Sequence, residues 1–316
     1  MIPLVLRPAE LHIPDGFLSV AISIIFWLIT IVMLGMAIRR TQGELSERQI
    51  PLMGVMAAFI FAAQMINFPV AGGTSGHMLG GALAAITLGP WAGMLAMATV
   101  IGVQALLLQD GGLVVLGANI FNMGLITAVI GYGLYQATAG RGQTTQLLVA
   151  GVAAWLSVMA GALFTSLQLW LSGTSALEIV FPAMMSVHAL IGLGEALITV
   201  AALAFIFRTR PDILAPTATT GTARGWVVAG MAVALFVVLL SPLASADPDG
   251  LERVAIDLGF IETAQGPSYE ILPDYTIPFL GESALSTIGA GVIGMLVVAI
   301  LAWGIMLLTR RMVNQG

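Results

Sequence analysis

The sequence predicts an all-α membrane protein: a polytopic helical bundle of about nine transmembrane helices, seven plus two, with the N-terminus outside and the C-terminus cytoplasmic. Three observations lead there. The 316 residues are 59% hydrophobic and only 9% charged, where soluble domains carry roughly 25% charged residues. The apolar residues gather in runs of membrane-crossing length. The arginines fall almost entirely on one side of the resulting topology.

Runs of roughly 18 to 25 apolar residues are read as membrane helices, broken at charge clusters and Gly/Pro punctuation. They cover about 18–38, 50–69, 77–89, 91–109, 113–136, 147–171, 183–207, 226–244 and 284–308. The third is short because Gly89-Pro90 divides a run too long for one span. No cleaved leader is expected, since Arg7 is the only basic residue before the first run, Pro14-Asp15-Gly16 intervenes and no small-x-small site follows.

With the N-terminus outside, Arg39, Arg40, Arg48, Arg141, Arg208, Arg210, Arg224, Arg310 and Arg311 face the cytoplasm, and only Arg7 and Arg253 do not. Short cytoplasmic loops collect such residues, so the opposite orientation is disfavoured. The acidic residues sort the other way: Glu10, Asp15, Asp110, Glu178 and the eight between Asp247 and Glu282 lie outside. The chain divides into an N-terminal extension (1–11), a seven-helix domain (12–208), a cytoplasmic linker with prolines, threonines and glycines (209–225) and a two-helix module (226–316) with an acidic outer loop at 245–282. That loop reads first as a solvated face, and no ligands are assigned in it.

Composition narrows the chemistry. There is no lysine and the formal charge is -5, which leaves nothing for a nucleic-acid or polybasic lipid-binding role. A Walker A phosphate loop needs its lysine, so ATP hydrolysis must come from another subunit. Without cysteine, metal ligands are limited to imidazole, carboxylate, amide and backbone.

The three histidines, His12, His77 and His188, all fall on the outer side at similar depth, in a topology drawn without them. Neutral imidazole is a preferred ligand for late first-row divalent metals. A single histidine at a membrane edge is more often an interfacial hydrogen-bonding residue, but the neighbourhoods of two of these shift the balance. His12 precedes the rigid turn Ile13-Pro14-Asp15-Gly16, and His77 follows Gly72-Gly73-Thr74-Ser75-Gly76, a loop that allows close backbone approach.

Asn119 and Asn122 lie three apart on one face of the fifth helix, near its outer end. They can fix the His77 loop or an imidazole tautomer, or equally join helices to one another. Glu195 stands two turns below His188, about 10 Å deeper, and is expected to be a structural partner. Gln64 and Gln104 have no assigned role. Gly54, Ala58 and Ala62 form a small-residue stripe suited to close helix contact, inside the chain or with a partner.

The segments HIPDGFLS (12–19), NFPVAGGTSGHMLGGALAAITLGPWAGMLAM (67–97), QDGGLVVLGANIFNMG (109–124) and VHALIGLGEALIT (187–199) resemble the CbiM/NikM substrate-capture proteins of energy-coupling-factor transporters. The stretch SPLASADPDGLERVAIDLGF (241–260), with YEILPDY (269–275), is similar to the PDGLE module related to the small CbiN/NikN component. The resemblance implies a multi-pass protein of the inner (plasma) membrane that takes Co2+ or Ni2+ as cargo. It implies a CbiQ/NikQ-like transmembrane coupling subunit and CbiO/NikO-like ATPases as partners, and leans toward cobalt for cobalamin synthesis. It also makes the Gly54, Ala58, Ala62 stripe a docking face for the coupling subunit.

The family's ligands are a free terminal amine, the backbone nitrogen and imidazole of the histidine after the initiator methionine, and the histidine of the GTSGH loop. Carried over, the metal ligands are His12 and His77, with His188 in a supporting shell; beside the resemblance, Asn67, Asn119, Asn122 and Ser75 are candidates for the same support. This sequence departs from the pattern in having ten residues before Leu11. Leucine codons can initiate translation, so Leu11 is a candidate start; with residues 1–10 retained, coordination is rebuilt from His12, His77, His188 and Asn67. Two other classes compete. Gly73-Thr74-Ser75-Gly76 matches the GxSG of an intramembrane rhomboid-like serine protease, with His188 as base, though a four-residue match is weak. A secondary metal transporter or channel is disfavoured because no inverted repeat is visible.

Overall fold

The computed structural model describes residues 12–44, 49–211, 223–266 and 269–313. An N-terminal segment leads into α1 (Val20–Glu44), then α2 (Gln49–Gln64) and a hairpin of β1 (Phe68–Val70) and β2 (Thr74–Gly76). Next come α3 (Gly81–Leu88) and α4 (Pro90–Val103), which runs on through a π-helical turn, Gln104–Leu108. A second π-helical turn, Phe121–Leu125, joins α5 (Leu116–Ile120) to α6 (Ile126–Gln136). The long helices α7 (Gln143–Leu171) and α8 (Leu177–Thr209) follow, then α9 (Ala223–Leu240), the short α10 (Gly250–Leu258) and α11 (Ala284–Val313).

Among the described residues, seven helical stretches are long and apolar enough to cross a bilayer: Val20–Gln42, Pro90–Leu108, Leu116–Gln136, Gln143–Leu171, Leu177–Thr209, Gly225–Leu243 and Ala284–Arg310. The other two apolar helices are shorter. α2 has 16 residues and α3 has 8, where a full crossing needs about 20. Every residue of α3 is buried, so this half-depth helix is enclosed by protein, the setting in which a bilayer tolerates an interrupted span. The run at 77–89 is therefore not a span of its own.

The run at 50–69 also ends early. Its helix stops at Gln64, and residues 68–76 form the hairpin, with Phe68 opposite Gly76, Pro69 opposite Ser75 and Val70 opposite Thr74. Pro69 removes a donor and biases Phe68 toward extended backbone, which ends helix and begins strand. Beyond α3, Pro90 takes the first helical position of α4, where a missing N–H costs nothing, and the chain reverses there.

The main core runs through both halves of the chain. It joins Met53, Ile60 and Phe61 of α2 to Leu83 of α3 and Met97 of α4, and also to Ala234 and Val238 of α9 and Ala290, Val298 and Met306 of α11. α11 lies along α2, with the Ala299 carbonyl 3.0 Å from where a Cβ on Gly54 would stand. Gly54, Ala58 and Ala62 are buried, so the small-residue stripe already has an occupant within the chain. The greater part of the linker, residues 212–222, lies outside the described residues.

A second core sits at the end of the bundle that carries the N-terminal segment. There Ile13 and Phe17 meet Val115, Met184, Leu251, Val254 and Phe260, and the rings of Phe17 and Phe260 contact edge to face at 5.1 Å. α10 supplies two of these residues, Leu251 and Val254, from one face. It starts with a capping box, in which the Asp249 carboxylate accepts the Glu252 N–H at 2.8 Å. Six of the described arginines, Arg39, Arg40, Arg141, Arg208, Arg210 and Arg310, belong to the opposite end by helix order.

Gly54→Leu should force α2 and α11 apart and lower the melting temperature of the purified protein. Gly102→Leu, where nothing lies within 4 Å of the added Cβ, should leave it near wild type; a thermal melt in detergent compares the two.

Candidate metal centre

Three chain segments with irregular backbone converge at this end, and each is held by a side-chain acceptor. The Asp15 carboxylate accepts the N–H groups of Leu113, Val114 and Val115 at 3.1, 2.9 and 3.1 Å. The Asn119 side chain grips Ile13 from both sides, accepting its N–H at 3.1 Å and donating to its carbonyl at 3.0 Å. The HIPDG turn is thus pinned to the start of α5, and His12 with it. Glu195 does the same for the segment after His77, its carboxylate accepting from Leu79 at 2.6 Å and Gly80 at 2.9 Å.

His12, His77 and His188 line one pocket, with Asn119, Asn122 and Asp249 among its other walls. The rings of His12 and His77 are 5.9 Å apart. The pocket's volume is about 60 Å³, room for an ion with several waters and well below the roughly 300 Å³ at which organic-ligand sites begin.

The imidazoles present one kind of nitrogen. His77 Nδ1 lies 3.0 Å from the Met78 carbonyl and His188 Nδ1 lies 2.8 Å from the Met184 carbonyl. A carbonyl only accepts, so both Nδ1 atoms carry the proton and both Nε2 atoms hold the lone pair in the neutral ring. His12 Nδ1 donates to Asp110 Oδ1 at 2.8 Å, both groups being buried, and its Nε2 is buried with no hydrogen-bond partner. Burial alone would depress the His12 pKa, but the Asp110 carboxylate outweighs it and holds the imidazole above its ordinary 6.5. Burial would likewise raise Asp110, and His12 reverses that shift. Among the described residues no three His, Asp or Glu side chains are spaced to hold one ion between them. The imidazoles therefore need further donors from backbone, amide or water.

The C-terminal module forms part of this wall. Ser75 donates its N–H to the Pro248 carbonyl at 2.8 Å and its hydroxyl to the Asp247 carbonyl at 2.7 Å. The Ser245 N–H is held by the Asn67 carbonyl at 2.8 Å. Gly250 sits so close to α8 that a Cβ there would stand 2.6 Å from Ile191 and 3.0 Å from His188 Cε1. The Asp249 carboxyl reaches the pocket, and burial pushes its pKa up to about 6, with Asp110 adding to the rise.

The sequence-predicted residues separate accordingly. His12, His77, His188, Asn119 and Asn122 share the pocket. Asn122 bonds Thr165 and Gln168 at 3.1 and 2.7 Å, tying α7 to its wall. Asn119 holds Ile13, not the His77 loop. Asn67 and Ser75 stand outside the pocket and strap the hairpin to the second module. The Ser75 hydroxyl is engaged by a carbonyl and not by His188, so no serine–histidine pair exists for proteolysis. Leu11 lies outside the described residues. Asp110, Asp249 and Tyr275 went unassigned from sequence, although each sits in a quoted motif, QDGG, PDGLE and YEILPDY.

Two families match the chain: the cobalt uptake substrate-specific transmembrane region, CbiM, over residues 12–213, and the PDGLE domain over residues 224–311. A protein of Archaeoglobus fulgidus named for fused nickel transport, NikMN, is 38% identical over 300 residues, 93% of this chain and 98% of the relative. The cobalt transport protein CbiM of Sorangium cellulosum is 33% identical over 217 residues, 65% of this chain and 94% of the relative. The crystal structure of a truncated transition metal transporter is 31% identical and matches with a TM-score of 0.56, over 62% of this chain and 98% of its own.

Asn119→Ala leaves the buried N–H of Ile13 unpaired, at about 1–3 kcal/mol, while the Ile13 carbonyl keeps the Gly112 N–H at 3.0 Å. Amide hydrogen exchange around Ile13 should accelerate in this variant, with helices remote from the pocket unchanged.

Proposed function

This chain belongs to the CbiM family of cobalt-uptake transmembrane proteins, with a PDGLE domain following, and on that premise we propose that it captures Co2+ or Ni2+ at the outer face and passes it inward. It is a multi-pass transition-metal transport protein and not an enzyme. On this reading it is the substrate-specific subunit of an energy-coupling-factor transporter, working with a CbiQ/NikQ-like coupling subunit and CbiO/NikO-like ATPases. The arginine-poor end that holds the pocket faces outward, where the cargo arrives.

The observation that carries the reading is the convergence of His12 and His77 on one small buried pocket, with His12 Nε2 left without a partner. A buried acceptor nitrogen without a donor is costly unless a ligand completes it. Two imidazoles with lone pairs on Nε2 suit cobalt and nickel, whereas magnesium prefers an octahedral shell of oxygens. His188 supports the same wall. Between the two metals the proposal leans to cobalt, following the family's description.

Metal-dependent thermal stabilisation of the purified chain tests the proposal. Co2+ or Ni2+ should raise the melting temperature of wild type. His12→Ala and His77→Ala should each abolish that rise, His188→Ala should reduce it, and Ser75→Ala should leave it intact. A full metal response in His77→Ala would falsify the assignment.

Metal must displace a proton from His12, and Asp110 raises that proton's pKa above 6.5. The protonated ring is favoured below the raised value, so affinity should begin to fall at a pH above 6.5 and drop about tenfold per unit below that onset. Calorimetric titration with Co2+ between pH 8 and pH 5.5 reads the profile.

A further inference from the structure

A chain of hydrogen bonds leaves the His12 side of the pocket, passes through the C-terminal module and returns on the His77 side. Asp110 Oδ1 takes the His12 Nδ1 proton at 2.8 Å, and the hydroxyl of Tyr275 donates to the other carboxylate oxygen, Oδ2, also at 2.8 Å. That hydroxyl accepts from Gln104 Nε2 at 3.2 Å, and the same amide donates to Gln64 Oε1 at 2.9 Å. Gln64 Nε2 then donates to the Leu79 carbonyl at 2.7 Å, two residues beyond His77, and the Leu79 N–H is held by Glu195.

Resting on the metal-capture reading, in the form where residues 1–10 are retained and coordination is rebuilt from side chains, we propose that Tyr275 is a positioning residue of the metal site: it orients Asp110, which holds the His12 imidazole in one tautomer and leaves its Nε2 without a hydrogen bond. The two modules thereby share one binding site, and the PDGLE half contributes to affinity without touching the metal.

Three features support the role. Asp110 spends one carboxylate oxygen on His12 and the other on Tyr275, so the two bonds together set the plane of the carboxylate. Burial and the neighbouring Asp110 push the Tyr275 hydroxyl well above its ordinary pKa, so it stays protonated and remains a donor. The backbone that delivers it is held in a costly conformation. Asp274 and Tyr275 have φ of 48° and 57°, a left-handed region that bulky residues avoid, and two such residues in succession persist only where their surroundings hold them. The Tyr275 ring rests near Phe61, 6.3 Å between centroids, so removing the hydroxyl alone can leave the packing in place. Outer partners of a metal-bound histidine commonly contribute 10- to 100-fold to affinity.

The test is Tyr275→Phe in the full-length chain, with Co2+ and Ni2+ as probes. Affinity from calorimetry should fall about tenfold, with the apo melting temperature near wild type. A second readout is the nitrogen-15 spectrum of labelled histidine, in which three residues can be assigned by substitution. Wild-type His12 should show one fixed neutral tautomer, and Tyr275→Phe a mixture. Unchanged affinity together with an unchanged His12 spectrum overturns the proposal while His77→Ala still loses metal. If Tyr275→Phe fails to fold, the wild-type spectrum decides: two exchanging His12 tautomers in the intact protein overturn it. A wild-type chain that binds neither ion overturns the capture reading itself, which is a different result.

Discussion

At bilayer depth a backbone N–H has no water to turn to, so irregular chain survives only where protein supplies the acceptor. The buried segment before α3 meets that constraint, and the outer rim of the pocket is held by the same device. Asp15 satisfies the amides before α5, Glu195 those before α3, and Asp249 the first turn of α10. A carboxylate committed to backbone in this way anchors a loop. That is why a site rich in buried acids does not gather them around an ion, and why the imidazoles are the groups left aimed inward.

Much of the architecture was legible in the sequence because lipid and helix length impose simple rules. The long spans follow from apolar runs, and the common side of the three histidines follows from the arginines. The half-depth helix α3 was not legible, because an apolar residue reads the same whether lipid or protein covers it. The hairpin at 68–76 was hidden in the same way, its glycines and proline appearing as a loop between two spans. Within the site, His12 and His77 stood out as rare residues beside turn-forming neighbours. Asp110, Asp249 and Tyr275 did not, since their roles arise from contacts across long stretches of chain: 98 residues from His12 to Asp110 and 165 from Asp110 to Tyr275. No local spacing encodes a partner at that separation.

The boundary between the halves of the chain is clear in sequence and absent in packing. α9 and α11 share a core with α2, and the Asp247–Gly250 segment is strapped to the His77 hairpin through Ser75. The stripe of Gly54, Ala58 and Ala62 illustrates the point. Small residues announce that something approaches closely, and here the approaching element is the chain's own last helix. A linker that looks like a divider thus connects two parts of one folded unit.

The pocket's volume, about 60 Å³, bears on how cobalt and nickel could be told apart. The two ions accept the same nitrogen ligands, so equilibrium preference between them is small. On the capture reading, an ion that takes imidazole nitrogens in this cavity must exchange part of its water shell for them as it enters. Selection then acts through the speed of dehydration as much as through the strength of the final bonds. A metal slow to exchange water is held back at the threshold even where the site itself would accept it.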